Sequence, residues 1–133
     1  MSDTGRTHEP TRKDQLPVDE TQRLIASDRV EGTTVYDRDG HTLGTVRNFM
    51  VDKVTGKAAY AVMSFGGFLG IGERYHPLPW KTLTYDTRLG GYVVDLTREQ
   101  LENAPSYTAA ESPWGEPGYG RNIYDYYKVP WYM

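Results

Sequence analysis

Apolar positions along the chain come in short bursts of four to nine residues, separated by turn formers, which is a strand rhythm rather than a helical one. Residues 1–22 precede the first burst and hold only Met1, Leu16 and Val18 as sizeable apolar side chains. So polar a segment buries too little surface to offset its ordering entropy, and it reads as a flexible arm. RLIASDRVEG then reads as a short helical turn, capped by Ser27 or Asp28 and ended by Gly32. TTVYDR (33–38) is β-branched and aromatic and predicts a strand. Asp39-Gly40 is a hairpin signal, and LGTVRNFMVD (43–52) is its partner strand. VTGK (54–57) marks a second tight turn. KAAYAVMSF (57–65) is the most apolar burst, with a composition that suits a strand covered on both faces.

Glycine fills four of the seven positions from Gly66 to Gly72. A phosphate loop would need Gly-x-x-x-x-Gly-Lys-Ser/Thr before a helix, but Gly72 is followed by Glu73, Arg74 and a strand. The run reads as a structural bend, with Phe68, Leu69 and Ile71 either folded in or forming an apolar tip for a partner. RYHPLPW (74–80) carries Pro77 and Pro79, which cannot donate to a ladder, so it belongs at an edge or a strand end. KTLTYD (81–86) and YVVDL (92–96) flank a hairpin turn at Gly90-Gly91. TREQLENAP (97–105) changes period. Thr97 and Gln100 form a capping box and Pro105 stops one short helix. About six short strands at this spacing predict a small closed barrel or a sandwich.

The remainder, 106–133, holds eight of the chain's 17 aromatic residues. Its glycines and prolines argue against a long helix and for an extended tail whose rings sit in grooves, on this barrel or on another chain. The domain reading is therefore an arm (1–22), a barrel (23–105) and an aromatic tail (106–133).

Composition narrows the functional classes. A net charge of -3 and a pI of about 5.6 give no basic stripe for nucleic acid. There is no cysteine, which removes disulfides, thiolate metal sites and a cysteine nucleophile. No apolar run has the length of a membrane span and the N-terminus has no signal-peptide core, so the expected location is the cytoplasm. Of the three histidines, His8 lies in the arm, His41 follows a hairpin turn, and His76 reads as a structural strand histidine. Asp37-x-Asp39-Gly40 has its glycine two places early for a calcium loop and Asn48 where the glutamate belongs. The carboxylates Asp37, Asp39, Asp52, Asp86 and Asp95 fall at turns and strand ends without an acid–base pair. No catalytic, cofactor-binding or metal-ligating residue is expected.

VEGTTVYDRDGHTLGTVRNFMVD, TGKAAYAVMSFGGFLGIGERYHPLPW and the closing VVDLTREQLENAP together resemble a stand-alone PRC-barrel domain. That module is shared by the photosynthetic reaction-centre H subunit and the RimM-type ribosome maturation factor. The tail ending YDYYKVPWYM is similar to the segment C-terminal to the barrel in the stand-alone bacterial group. The resemblance implies a mainly β fold: a small antiparallel PRC-type barrel of about six strands, one short C-terminal helix and an extended aromatic tail. It also implies a non-catalytic adaptor that holds a protein partner or a second copy of itself. The reaction-centre subunit's membrane helix and the ribosome factor's N-terminal domain have no counterpart here, so neither cellular role carries over. The interaction candidates are Phe68, Leu69, Ile71, Trp80, Trp114, Tyr124, Tyr127 and Trp131. Trp80 reads as a barrel plug or a partner anchor. The rival readings are a small-ligand-binding barrel and, behind it, an enzyme built around His76 or a carboxylate pair.

Overall fold

The computed structural model describes residues 23–65 and 73–132. Six strands appear, β1 Thr34–Tyr36, β2 Thr42–Val51, β3 Ala58–Phe65, β4 Arg74–Pro79, β5 Thr84–Asp86 and β6 Gly91–Val93. With them run α1 Ser27–Val30, α2 Arg98–Glu102, α3 Tyr119–Tyr126 and single 3-10 turns at Trp80–Thr82 and Pro113–Gly115. No helix among the described residues is long and apolar enough to cross a membrane.

Three hairpin turns share one device. Asp37 Oδ1 accepts the backbone N–H of Asp39 and of His41, each at 2.9 Å. Asp52 Oδ1 accepts from Val54 and Thr55 at 2.8 and 3.0 Å, and Asp86 Oδ1 from Arg88 and Leu89 at 2.8 and 3.1 Å. Each turn closes on a glycine in the left-handed region: Gly40 at φ 87°, Gly56 at 78° and Gly90 at 71°. The capping box also forms, with Gln100 N–H on Thr97 Oγ1 at 3.0 Å and Thr97 N–H on Gln100 Oε1 at 2.8 Å. At α1 the cap is Ala26, without a side-chain bond, rather than Ser27 or Asp28.

The strand order is β4-β3-β2-β1-β6-β5. Laid flat, six strands would separate β4 from β5 by about 24 Å. The chain from Pro79 to Thr84 reaches at most about 18 Å, so the sheet must curl. It does not close, because β4 and β5 are not hydrogen-bonded neighbours. This corrects the expectation of a closed barrel, and β4 shows why. Tyr75 directs its N–H and C=O away from β3, to Tyr107 at 2.8 and 3.0 Å. Pro77 and Pro79 share that parity, so their missing N–H groups lie on the outer edge. That edge can take Tyr107 but offers no ladder to β5.

The sheet is also mixed rather than antiparallel, since β1 and β6 pair in parallel. The turn at Trp80–Thr82 carries the chain onward without reversing it. β5 therefore runs in the same sense as β4, and β6, hairpinned to β5, comes up alongside β1 in the same direction.

β3 is buried on both faces, as its composition foretold. Ala61, Met63 and Phe65 enter the main core with Val35, Leu43, Val46, Leu78, Tyr92 and Val94. A register shift between Val46 and Asn48 lets Val46 and Phe49, three residues apart, both face that core. α1 and α2 add Val30 and Leu101. The opposite face of β3 and β4 presents Tyr60, Val62 and Tyr75, and the C-terminal segment covers it.

That cover is not extended throughout, which corrects the tail expectation. Gly118, at φ 77°, is the N-cap of the eight-residue α3, and Pro130 lies beyond its end, so the breakers delimit a helix instead of forbidding one. Gly120 sits inside α3, and a Cβ there would collide with the Tyr60 hydroxyl and come within 3.1 Å of Trp131 Cη2. Gly120→Ala gains about 1 kcal/mol of helix propensity but meets a rigid buried ring. Overpacking of about 1–3 kcal/mol outweighs the gain. Urea unfolding should show net destabilisation, whereas a neutral or stabilised variant would mean the helix is not seated this closely.

Candidate interaction surface

The aromatic segment and the sheet form one continuous stack of rings. Tyr60 meets Trp114 and Tyr124 edge-on, with centroids 5.1 and 5.4 Å apart. Tyr124 continues to Trp131 at 4.9 Å and Tyr132 at 5.9 Å. On the edge-strand side, Tyr75, Tyr107, Trp114 and Tyr119 follow at 5.5, 6.0 and 5.3 Å. Such edge-to-face contacts add about 0.5–1.5 kcal/mol each beyond area burial.

Hydrogen bonds fix the stack. Tyr124, 2% exposed, donates its hydroxyl to the Ala59 carbonyl at 2.7 Å. Tyr132 donates to Asp52 Oδ2 and Tyr126 to the Gln100 carbonyl, each at 2.7 Å. Burial pushes the Tyr119 and Tyr124 phenols up to about 12 and raises Tyr60 and Tyr127 as well. The bond from Tyr132 holds the Asp52 carboxyl below its usual range.

Against this geometry, the PRC-barrel domain matches residues 23–101. The chain belongs to the PRC-barrel domain family. Among solved structures, one named as a 16S ribosomal RNA processing protein, RimM, from Pseudomonas aeruginosa is similar at 20% identity and a TM-score of 0.36. The similarity covers 63% of this chain and 50% of that one, so this chain spans about half the length of that protein. A comparison with curated proteins returned no match.

Within this PRC-barrel protein the candidate interaction residues separate into three groups. Phe68, Leu69 and Ile71 lie outside the described residues. Trp80 is half-buried at the main core, with Phe49 at 5.9 Å and Tyr92 at 5.8 Å. Trp114, Tyr124 and Trp131 are engaged within their own chain, and Tyr127 packs between the main core and the tail cluster. The ring of Trp131 also carries the Arg121 guanidinium at 4.9 Å. The tail thus lies on this chain's own sheet, one of the two surfaces the sequence left open.

The polar candidates are dispersed. His76 is buried in the core at 2% exposure, whereas His41 is exposed beside Asp37, with 3.2 Å between Nδ1 and Oδ2. Asp37, Asp39 and His41 bring their ligand atoms within 4.8 Å of one another, but Asp37 is occupied in capping the hairpin. A shallow cleft of about 260 Å³ beside β5 is lined by Arg38, Thr84, Tyr85, Asp86 and Asp95, with Arg38 and Asp95 3.9 Å apart at its exposed rim. Sequence reasoning missed the tail helix and the role of Arg74. The first had a signal, since Tyr119, Ile123 and Tyr127 recur every four residues between Gly118 and Pro130. The second had none, since its partner Ser106 lies 32 residues away.

Proposed function

We propose that this PRC-barrel protein is a non-catalytic protein-interaction module. One observation supports the non-catalytic part. The carboxyl and imidazole groups with displaced proton affinities each have a structural occupation, and they are scattered. Asp37 and Asp52 cap hairpins, Glu111 accepts from the Thr108 N–H at 2.7 Å, and His76 is buried in the core. None of the four lines the cleft beside β5. A catalytic site gathers such groups instead of dispersing them.

Membership of the family, with the adaptor role its resemblance implies, supports the interaction part. Because the tail aromatics are used internally, the contacts fall to the barrel. The residues offered are Phe68, Leu69 and Ile71, three large apolar side chains between glycines in the sequence. The small-ligand reading is less favoured, since Val35, Val46, Ala61, Met63, Leu78 and Leu101 fill the curl of the sheet.

The test is affinity capture from native lysate, with light scattering on the bait, using the full chain and a Leu69→Asp/Ile71→Asp double variant. The expected result is a partner, or a dimer mass, that the variant loses while its thermal melt is unchanged. Equal association by both proteins would overturn the assignment of the contact. Two monomers without a partner would overturn the interaction reading itself.

A further inference from the structure

Two successive residues of β4 hold the segment C-terminal to α2, and the third lies against α2 itself. Arg74 Nε donates to Ser106 Oγ at 2.6 Å. Tyr75 exchanges two backbone bonds with Tyr107, at 2.8 and 3.0 Å. Between Tyr75 and the blocked prolines, His76 faces the core, edge-on to Phe65 of β3 at 5.1 Å and beside the Leu101 carbonyl of α2. The ring is 2% exposed, and its Nδ1 is buried without a hydrogen-bond partner. The charged groups nearby are cations: Arg74 on its own strand, and Arg98 of α2, whose guanidinium lies 5.2 Å from the same Phe65 ring. On β3 the neighbours Met63 and Phe65 are uncharged, and no carboxylate forms an ion pair with His76 among the described residues.

An imidazolium at this position would have neither solvent nor a counter-ion. We propose that His76 makes the β4 clasp acid-sensitive: its protonation frees Leu101 and α2 from the core and, with the segment that follows α2, releases Ser106 and Tyr107 from β4. Burial holds the imidazole below its ordinary range; the backbone carbonyls of Leu101 and Arg74 partly oppose this, and the Arg74 charge adds to it. As pH falls below the ordinary histidine value of about 6.5, the opened chain binds a proton that the closed chain refuses. The clasp is therefore whole above that pH. It weakens by up to about tenfold per unit beneath it, until the closed form is itself protonated. Asp37, Asp52 and Glu111, held below their usual carboxylate values of 3.8, 3.8 and 4.5, titrate outside this window.

Amide exchange at pH 7.0 and 5.5, corrected for intrinsic rates, tests this on the full chain. The Tyr107 amide, bonded to Tyr75, should lose up to about tenfold of its protection relative to the Val46 amide, which is bonded to Thr33. His76→Phe should abolish that differential loss. Parallel loss at both amides, or an unchanged differential in the variant, would overturn the proposal. Should His76→Phe fail to fold, titration of the wild-type His76 Hε1 resonance decides. A midpoint below 6.5 with Tyr107 protection lost over the same pH range supports the clasp; a midpoint at or above 6.5, or Tyr107 protection that does not follow it, refutes it.

Discussion

A chain ending at Pro105 loses cooperative folding. Such a chain keeps every strand, the main core and the α2 capping box, yet it strips the cover from Tyr60, Val62 and Tyr75. Burying a side chain of that size contributes about 1.5–3 kcal/mol, so three of them amount to about 5–9 kcal/mol. Whole domains are stable by only about 5–15 kcal/mol. Removing Tyr107 also frees the backbone of Tyr75 at the sheet edge and exposes a pairing template. Circular-dichroism melts should therefore show no sharp transition, or one lowered by more than about 20 °C, and light scattering should show aggregation. A melt superimposable on that of the full chain would make the tail an appendage. The expected stickiness of this truncated chain also makes substitutions at Leu69 and Ile71 in the full chain the cleaner interaction test.

The second large effect is at Tyr124. The Tyr124→Ala variant removes a fully buried ring from the centre of the tail cluster, where it touches Tyr60, Trp131 and Tyr132. A loss of about 3–5 kcal/mol is expected. Tyr124→Phe keeps the ring and deletes only the bond to the Ala59 carbonyl, leaving that acceptor unsatisfied, for a loss of about 1–3 kcal/mol. Denaturant unfolding of both variants separates the contributions of packing and hydrogen bonding. If Tyr124→Ala cost under about 1 kcal/mol, the ring would not be buried as described.

Much of the sheet was legible because its turns are chemically explicit. Asp37 with Gly40, Asp52 with Gly56 and Asp86 with Gly90 each combine a side-chain acceptor with a left-handed glycine, and both act locally. The α2 capping box spans only three residues and was equally plain. Pro77 and Pro79 correctly marked β4 as an edge strand. The parallel pairing of β1 with β6 was not legible, because it depends on whether the chain reverses at Trp80–Thr82, and no residue there announces that it runs straight on.

The tail was misread for a different reason. Its glycines and prolines were weighed by number, whereas position decides: Gly118 caps α3, Gly120 permits close packing and Pro130 lies past the end. The aromatic candidates were visible as residues, but their partner was not, since Tyr124 and Ala59 are 65 positions apart. Phe68, Leu69 and Ile71 rest on sequence alone.

The central claim is that the aromatic tail forms a second layer on the sheet of its own chain. Isotope-filtered nuclear Overhauser spectroscopy on a mixture of labelled and unlabelled full-length protein, unfolded and refolded together, tests it most directly. Contacts of Tyr124 with Tyr60 and Ala59 should appear in the uniformly labelled sample and be absent from the filtered spectrum of the mixture. The same contacts between labelled and unlabelled chains would contradict the account and make the tail an element exchanged between two copies.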